Sequence, residues 1–164
     1  MPPKTERTDK KEVEAIVLDY LQWGYAGDKR PLNQREPIIL AVGTDQFKLL
    51  ELIAKKDKAI NLHDTVYIGD GERKVVERVK RRVSFAELTP TAKGELEPAV
   101  AEIIAASEER FVEFYNTAVP VSLKMHMLNL LPGFGKKTLT DTLTEREKKP
   151  FESFAAIKKK QVLK

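Results

Sequence analysis

The stretch Leu131-Pro132-Gly133-Phe134-Gly135-Lys136-Lys137 leaves the chain few options. The segment before it, Val121 to Leu130, carries apolar residues at helical spacing (Leu123, Met127, Leu130, then Leu131), and the segment after it places Leu139 and Leu143 four apart. Both segments are therefore expected to be helical. Two glycines two apart admit left-handed backbone and the close approach of a ligand. They lead into the second helix, whose free N–H groups and positive dipole end favour an anion. Lys136 and Lys137 add charge where a phosphate would sit. Phe134, between the glycines, is expected to pack beneath the turn, since an exposed aromatic there gains nothing.

This is the make-up of a helix-hairpin-helix element that grips a nucleic-acid backbone. An ordinary helix stop, with glycine just past a C-terminus, has the same local look.

Upstream, Val13 to Tyr20 reads as a strand, with Ile16, Leu18 and Tyr20 on one face and Val13, Ala15 and Val17 on the other. Leu21 to Pro37 is an irregular loop. Pro37–Val42 and Phe47–Ile53 are strand-like, the second also compatible with helix. Leu62 to Val83 is expected to form a hairpin, Thr65-Val66-Tyr67-Ile68 pairing across Gly69-Asp70-Gly71 with Lys74 to Val83. About five strands without long crossovers suggest a small OB-like barrel.

Strict alternation in the last strand puts Lys74, Arg78, Lys80 and Arg82 on one face, about 7 Å apart, interrupted by Val76. Such a row suits a phosphodiester backbone, or simply guards an exposed edge against aggregation. In the long loop, Tyr20, Trp23 and Tyr25 are interleaved with Lys29, Arg30 and Arg35, so Trp23 and Tyr25 are candidates for base stacking. The alternative is that Trp23 caps one end of the barrel.

From Ser84 to Ala118 the pattern turns helical. Ser84 and Thr89-Pro90 are start signals, and Leu96, Val100, Ile103, Ile104, Phe111 and Phe114 form an apolar stripe. Glutamates supply the outer face of this long linking helix. Pro150 to Ile157 opens a further helix capped by Ser153, with Phe151, Phe154 and Ile157 packed onto the hairpin. Because such hairpins pack in pairs, a second is expected after this point, and the region reads as truncated at Lys164.

Charge is unevenly distributed: residues 1–83, 84–119 and 120–164 carry nets of +3, −5 and +6. A polyanion would meet the ends of the sequence and be repelled by its middle. The absence of cysteine excludes disulfides, thiolate zinc sites and iron–sulfur clusters. With no run of 18 apolar residues and no cleavable leader, a soluble cytoplasmic protein without membrane contact is expected.

The segments VEAIVLDYL, VYIGDGERKVVERVKRRVSFAELTPTAKGEL, FYNTAVPVSLKMHMLNLLPGFGKKTL and PFESFAAIKKK together resemble an archaeal family known as domain-of-unknown-function family 655. The resemblance covers Glu12 to Lys160. It implies an archaeal source, an OB-like barrel before a helix-hairpin-helix region, and an information-processing role near ribosomal or transcription components. The hairpin positions that match are Leu131, Pro132, Gly133, Gly135, Lys136 and Lys137.

Catalysis finds little footing. Asp141 lies on the second helix only six residues after Gly135, and the multi-helix pocket that base extraction needs is missing. His63-Asp64 and Asp70 suit turns better than metal ligation, and His126 has no His or Cys partner. Gly69-Asp70-Gly71-Glu72 lacks the Lys-Ser/Thr of a phosphate loop.

The expected protein is α+β: residues 1–11 a disordered tail, 12–83 an OB-like β-barrel, 84–118 a linking helical segment, and 119–164 a helix-hairpin-helix region. It is expected to bind RNA, or less readily DNA, through phosphates, without catalysis, cofactor or metal. Gly133, Gly135, Lys136 and Lys137 would form the grip, and Lys74, Arg78, Lys80 and Arg82 would extend it. The competing expectations are a protein-interaction factor docking on the ribosome or transcription machinery and, last, a DNA-repair enzyme.

Overall fold

A computed structural model describes residues 10–159; most of the expected N-terminal tail, and residues 160–164, lie outside the described residues. The chain divides into two compact units, Met1–Ile103 and Ile104–Lys164.

The first unit is built on a curled five-stranded antiparallel sheet: β1 (Glu14–Leu21), β2 (Ile38–Gly43), β3 (Leu49–Ala54), β4 (Thr65–Tyr67) and β5 (Val76–Arg82), in the order β4-β1-β2-β3-β5. One face gathers Ile16, Leu18, Leu40, Val42 and Ile53 with Ala92, Ala99 and Ile103 of helix α1 (Pro90–Ala106). The other gathers Ala15, Val17, Ile39, Ala41, Leu52, Val66 and Val76. Both faces of β2 are thus buried, which is why Ile38–Val42 is a continuous apolar run rather than an alternating one.

Three expectations for this unit are corrected. Alternation in β1 breaks at a bulge between Val17 and Asp19. Tyr20 therefore packs with Val17's cluster instead of with Ile16 and Leu18. The same bulge serves α1: Asp19 Oδ2 accepts from the Thr89 hydroxyl at 2.5 Å, and that hydroxyl accepts from the Ala92 N–H at 3.2 Å, capping the helix.

The hairpin across Gly69-Asp70-Gly71 does not form. β4 pairs with β1 and β5 with β3, at opposite ends of the sheet. Neither Gly69 nor Gly71 has the positive φ of a tight hairpin turn. These glycines make room for a ring instead: a Cβ at Gly69 or Gly71 would stand 2.5 or 2.8 Å from the Tyr67 hydroxyl oxygen.

The row of four cations on one strand face also dissolves. Lys74 precedes β5, and β5 is bulged twice, pairing Val76, Arg78, Val79, Arg81 and Arg82 with Ala54, Ile53, Leu52, Glu51 and Leu50. Arg78 and Arg82 therefore stand opposite residues of different core faces, with Glu77 and Lys80 as the extra residues.

The second unit contains α2 (Glu108–Thr117), a 3-10 turn (Met127–Leu130), α3 (Lys136–Lys148) and α4 (Phe154–Lys159). Ser84 opens only a short 3-10 turn (Phe85–Glu87), as expected, while the long helix expected after Thr89-Pro90 is two helices interrupted at Ser107. The apolar contact in α2 comes from Val112, with Phe114 and Tyr115, rather than from Phe111. The helix expected over Val121–Leu130 is reduced to the 3-10 turn. Residues Val119 to Met127 fold back on themselves instead, with Val121 N–H donating to Met125 O at 2.8 Å and Met127 N–H to Val119 O at 3.0 Å. Pro120 between two β-branched valines favours that extended path over a helix.

Candidate nucleic-acid interface

The turn before α3 is shaped by its own residues. His126 caps the 3-10 turn: its Nδ1 accepts from the Leu128 N–H at 3.1 Å, while its own N–H donates to Asn129 Oδ1 at 2.9 Å. Burial, reinforced by the Arg146 charge, holds the His126 imidazole below its ordinary pKa, in the neutral form an acceptor requires. Asn129 Nδ2 donates to Phe134 O at 3.3 Å, tying the far side of the turn.

Gly133 takes φ +80°, a backbone angle that side chains resist. Phe134 then drops into the core with Leu128, Phe151 and Ile157, its ring centroid 6.3 Å from that of Tyr115. Gly135 is extended at φ −91° and forms the N-cap of α3, with no side chain to cap the first turn. Its carbonyl accepts from the Leu139 N–H at 3.0 Å. Lys136 and Lys137 follow, both exposed. From the other end, Arg146 Nη1 donates to the carbonyls of Ala118 (2.8 Å) and Tyr115 (3.2 Å), fixing α3 against the end of α2.

In the first unit, the cations expected on one strand have separate fates. Arg78 pairs with Glu36 at 3.0 Å. Lys80 lies 3.6 Å from Glu51, a carboxylate only 1% exposed that also accepts from Arg81 Nε at 2.6 Å. Lys74 borders a shallow depression with Tyr67, Gly71 and Glu72. Arg82 has no carboxylate partner among the described residues.

Trp23 and Tyr25 do not act alike. Trp23 is 54% exposed, beside a pocket of about 150 Å³ that Tyr20, Leu32, Arg35 and Lys56 also line. Tyr25 packs against the α1-side core, where burial and then the Glu51 charge push its hydroxyl pKa up.

A larger feature escapes sequence reasoning. A groove of about 890 Å³ is bordered by residues of both sheet edges, and its cations include Lys11, Lys48 and Arg73 beside Arg78 and Arg82. Their separation along the chain hides them from any periodicity. Among the described residues no group of three or more His, Cys, Asp or Glu side chains could hold a metal, and no helix is long and apolar enough to cross a membrane.

Residues 11–164 match the family described as protein of unknown function (DUF655). An uncharacterised protein, MJ0038 of Methanocaldococcus jannaschii, is 43% identical over 152 residues, covering 93% of this chain and 68% of that protein. The crystal structure of Af1531 from Archaeoglobus fulgidus, of the same family, superposes with a TM-score of 0.85 at 44% identity, covering 91% of this chain and 83% of that one.

Proposed function

The chain belongs to the DUF655 family, and we propose that it is a non-enzymatic nucleic-acid-binding protein that grips phosphates, of RNA in preference to DNA. In this reading the curled sheet is an OB-like platform, and the turn before α3 is the working half of a helix-hairpin-helix. The observation that carries it is the start of α3. Gly135 leaves the first-turn N–H groups without a side-chain cap, and Lys136 and Lys137 stand exposed on that same turn. The buried Phe134 and the left-handed Gly133 make the turn a rigid support rather than a loose loop. Contacts of this kind position a strand without reading its bases.

One observation favours a second reading, a protein-docking factor of the ribosome or transcription machinery. Val119, Val121, Leu123 and Leu130 all expose their side chains on the segment leading into the turn.

Association with native partners, before and after nuclease treatment, separates the two. Under the first reading, partners captured by the protein are lost on RNA digestion and are not captured by a Lys136→Glu/Lys137→Glu variant. Capture that survives nuclease, and is abolished instead by Leu123→Asp, establishes the docking reading.

A further inference from the structure

We propose that the groove between β4 and β5 seats a single-stranded nucleic-acid segment, with phosphates on its basic rim and bases against its apolar floor. This rests on the nucleic-acid reading and gives it a second site, confined to the first unit.

The sheet order ends at β4 and β5, and the groove of about 890 Å³ is lined by residues from both of these edges. Its apolar lining is Val13 and Val79, both exposed, with Leu50 and Ile68 buried behind them. Five cations line it against two carboxylates, and one of those, Glu12, is buried and already accepts from backbone N–H groups at Asp45 (2.9 Å) and Gln46 (2.6 Å). Asp70 is the remaining acid. Three of the cations also do local structural work: Lys48 donates to Lys10 O, Arg73 to Gly69 O, and Arg78 to Glu36. Lys11 and Arg82 have no carboxylate partner among the described residues, so their charge is directed at solvent.

Cations beside exposed apolar surface distinguish between polyanions. A duplex turns phosphates outward and hides its base faces, so it gains nothing from the exposed Val13 and Val79. An unpaired strand offers phosphates and unstacked bases together. An acidic peptide is the other extended anion, and it would enter by pairing with a sheet edge. Both edges resist that: β4 is three residues long, and β5 is bulged twice and densely charged.

The test is fluorescence anisotropy of the full chain with labelled oligouridine and with a matched RNA duplex, across a salt series. The unaltered protein is compared with Lys11→Glu/Arg82→Glu, Lys11→Gln/Arg82→Gln and Lys136→Glu/Lys137→Glu. The groove reversal is expected to weaken single-strand binding by about tenfold or more while changing duplex affinity far less. The glutamine pair is expected to make the single-strand salt slope shallower by about 1.4, the share of two phosphate contacts. Circular-dichroism melting verifies folding, and the glutamine pair decides the matter if the reversal unfolds.

Unaltered single-strand affinity and slope in a folded groove variant overturns the groove while leaving the α3 turn standing. No binding of either RNA by the unaltered protein removes the nucleic-acid reading itself. Displacement of the oligonucleotide by polyglutamate at equal charge concentration overturns the single-strand assignment in favour of an acidic peptide.

Discussion

The carboxyl carbon of Glu12 lies 2.0 Å from where a Cβ on Gly43 would stand, so the two positions share one space. Glu12 uses that space to accept N–H bonds from Asp45 (2.9 Å), Gln46 (2.6 Å) and Lys48 (3.3 Å), closing the turn between β2 and β3. Glu12→Ala strands three donors and is expected to lower stability by about 1–3 kcal/mol in urea unfolding. Gly43→Ala expels the same carboxylate. The double variant is then expected to lose less than the sum of the two singles, because both remove one contact; full additivity refutes the shared-space account.

A second expectation concerns the buried Glu51. Arg81→Met takes away its 2.6 Å partner and leaves Lys80 at 3.6 Å as partial compensation. The expected loss is about 1–3 kcal/mol. Glu51→Leu/Arg81→Met is expected to recover much of it, since no carboxylate is then left in the core. A double variant as unstable as the single shows that Glu51 is not the source of the cost.

His63 supplies a pH dependence. It sits at φ +66°, its Nε2 2.5 Å from Glu95 and its Nδ1 3.1 Å from Glu102, both on α1. The Glu95 contact, aided by Glu102, raises its pKa above 6.5. A raised folded value means the stabilisation is fully present below the unfolded pKa and fades as pH climbs through the folded one. Thermal melts at rising pH are expected to show the unaltered protein losing stability that His63→Ala does not lose. Parallel melting curves for the two refute the linkage.

The α3 turn makes a paired expectation. Phe134→Ala empties a core position among Leu128, Phe151 and Ile157 and is expected to cost about 3–5 kcal/mol. Gly133→Ala keeps the core but forces a side chain to φ +80°, costing about 1–2 kcal/mol. Urea unfolding of the two variants checks the order, and a Gly133→Ala loss matching that of Phe134→Ala contradicts it.

What could be read in advance, and what could not, divides by range. β1 and β2 are legible because their apolar runs have nowhere to go but a sheet core. The pattern of Phe47–Ile53 fits strand or helix, and only its pairing with β2 and β5 decides for β3. Ser84, Thr89 and Ser153 announced their helix starts through short-range bonds: Glu87 to Ser84 N–H, Thr89 to Ala92 N–H, and Ser153 to Ala156 N–H. Strand partnership was illegible, because β4 and β5 sit next to each other in sequence yet pair with β1 and β3. Gly69 and Gly71 suggested a turn while serving to admit Tyr67. The bulge between Val17 and Asp19 and those within β5 leave no mark on a period-two pattern, which is why strict alternation misplaces both Tyr20 and the basic row. In the candidate site, Gly133 to Lys137 were visible as one contiguous motif, whereas Lys11, Lys48 and Arg73 are brought together only by the fold.

A grip on phosphates shows itself first in the salt dependence of oligouridine binding by the unaltered chain. Between about 50 and about 200 mM salt, the logarithm of the association constant is expected to fall linearly with the logarithm of salt concentration, as cations leave the strand. Lys136→Glu/Lys137→Glu is expected to bind more weakly, with a shallower slope. Absence of binding at the lowest salt, or an affinity indifferent to salt and to those two lysines, contradicts the account.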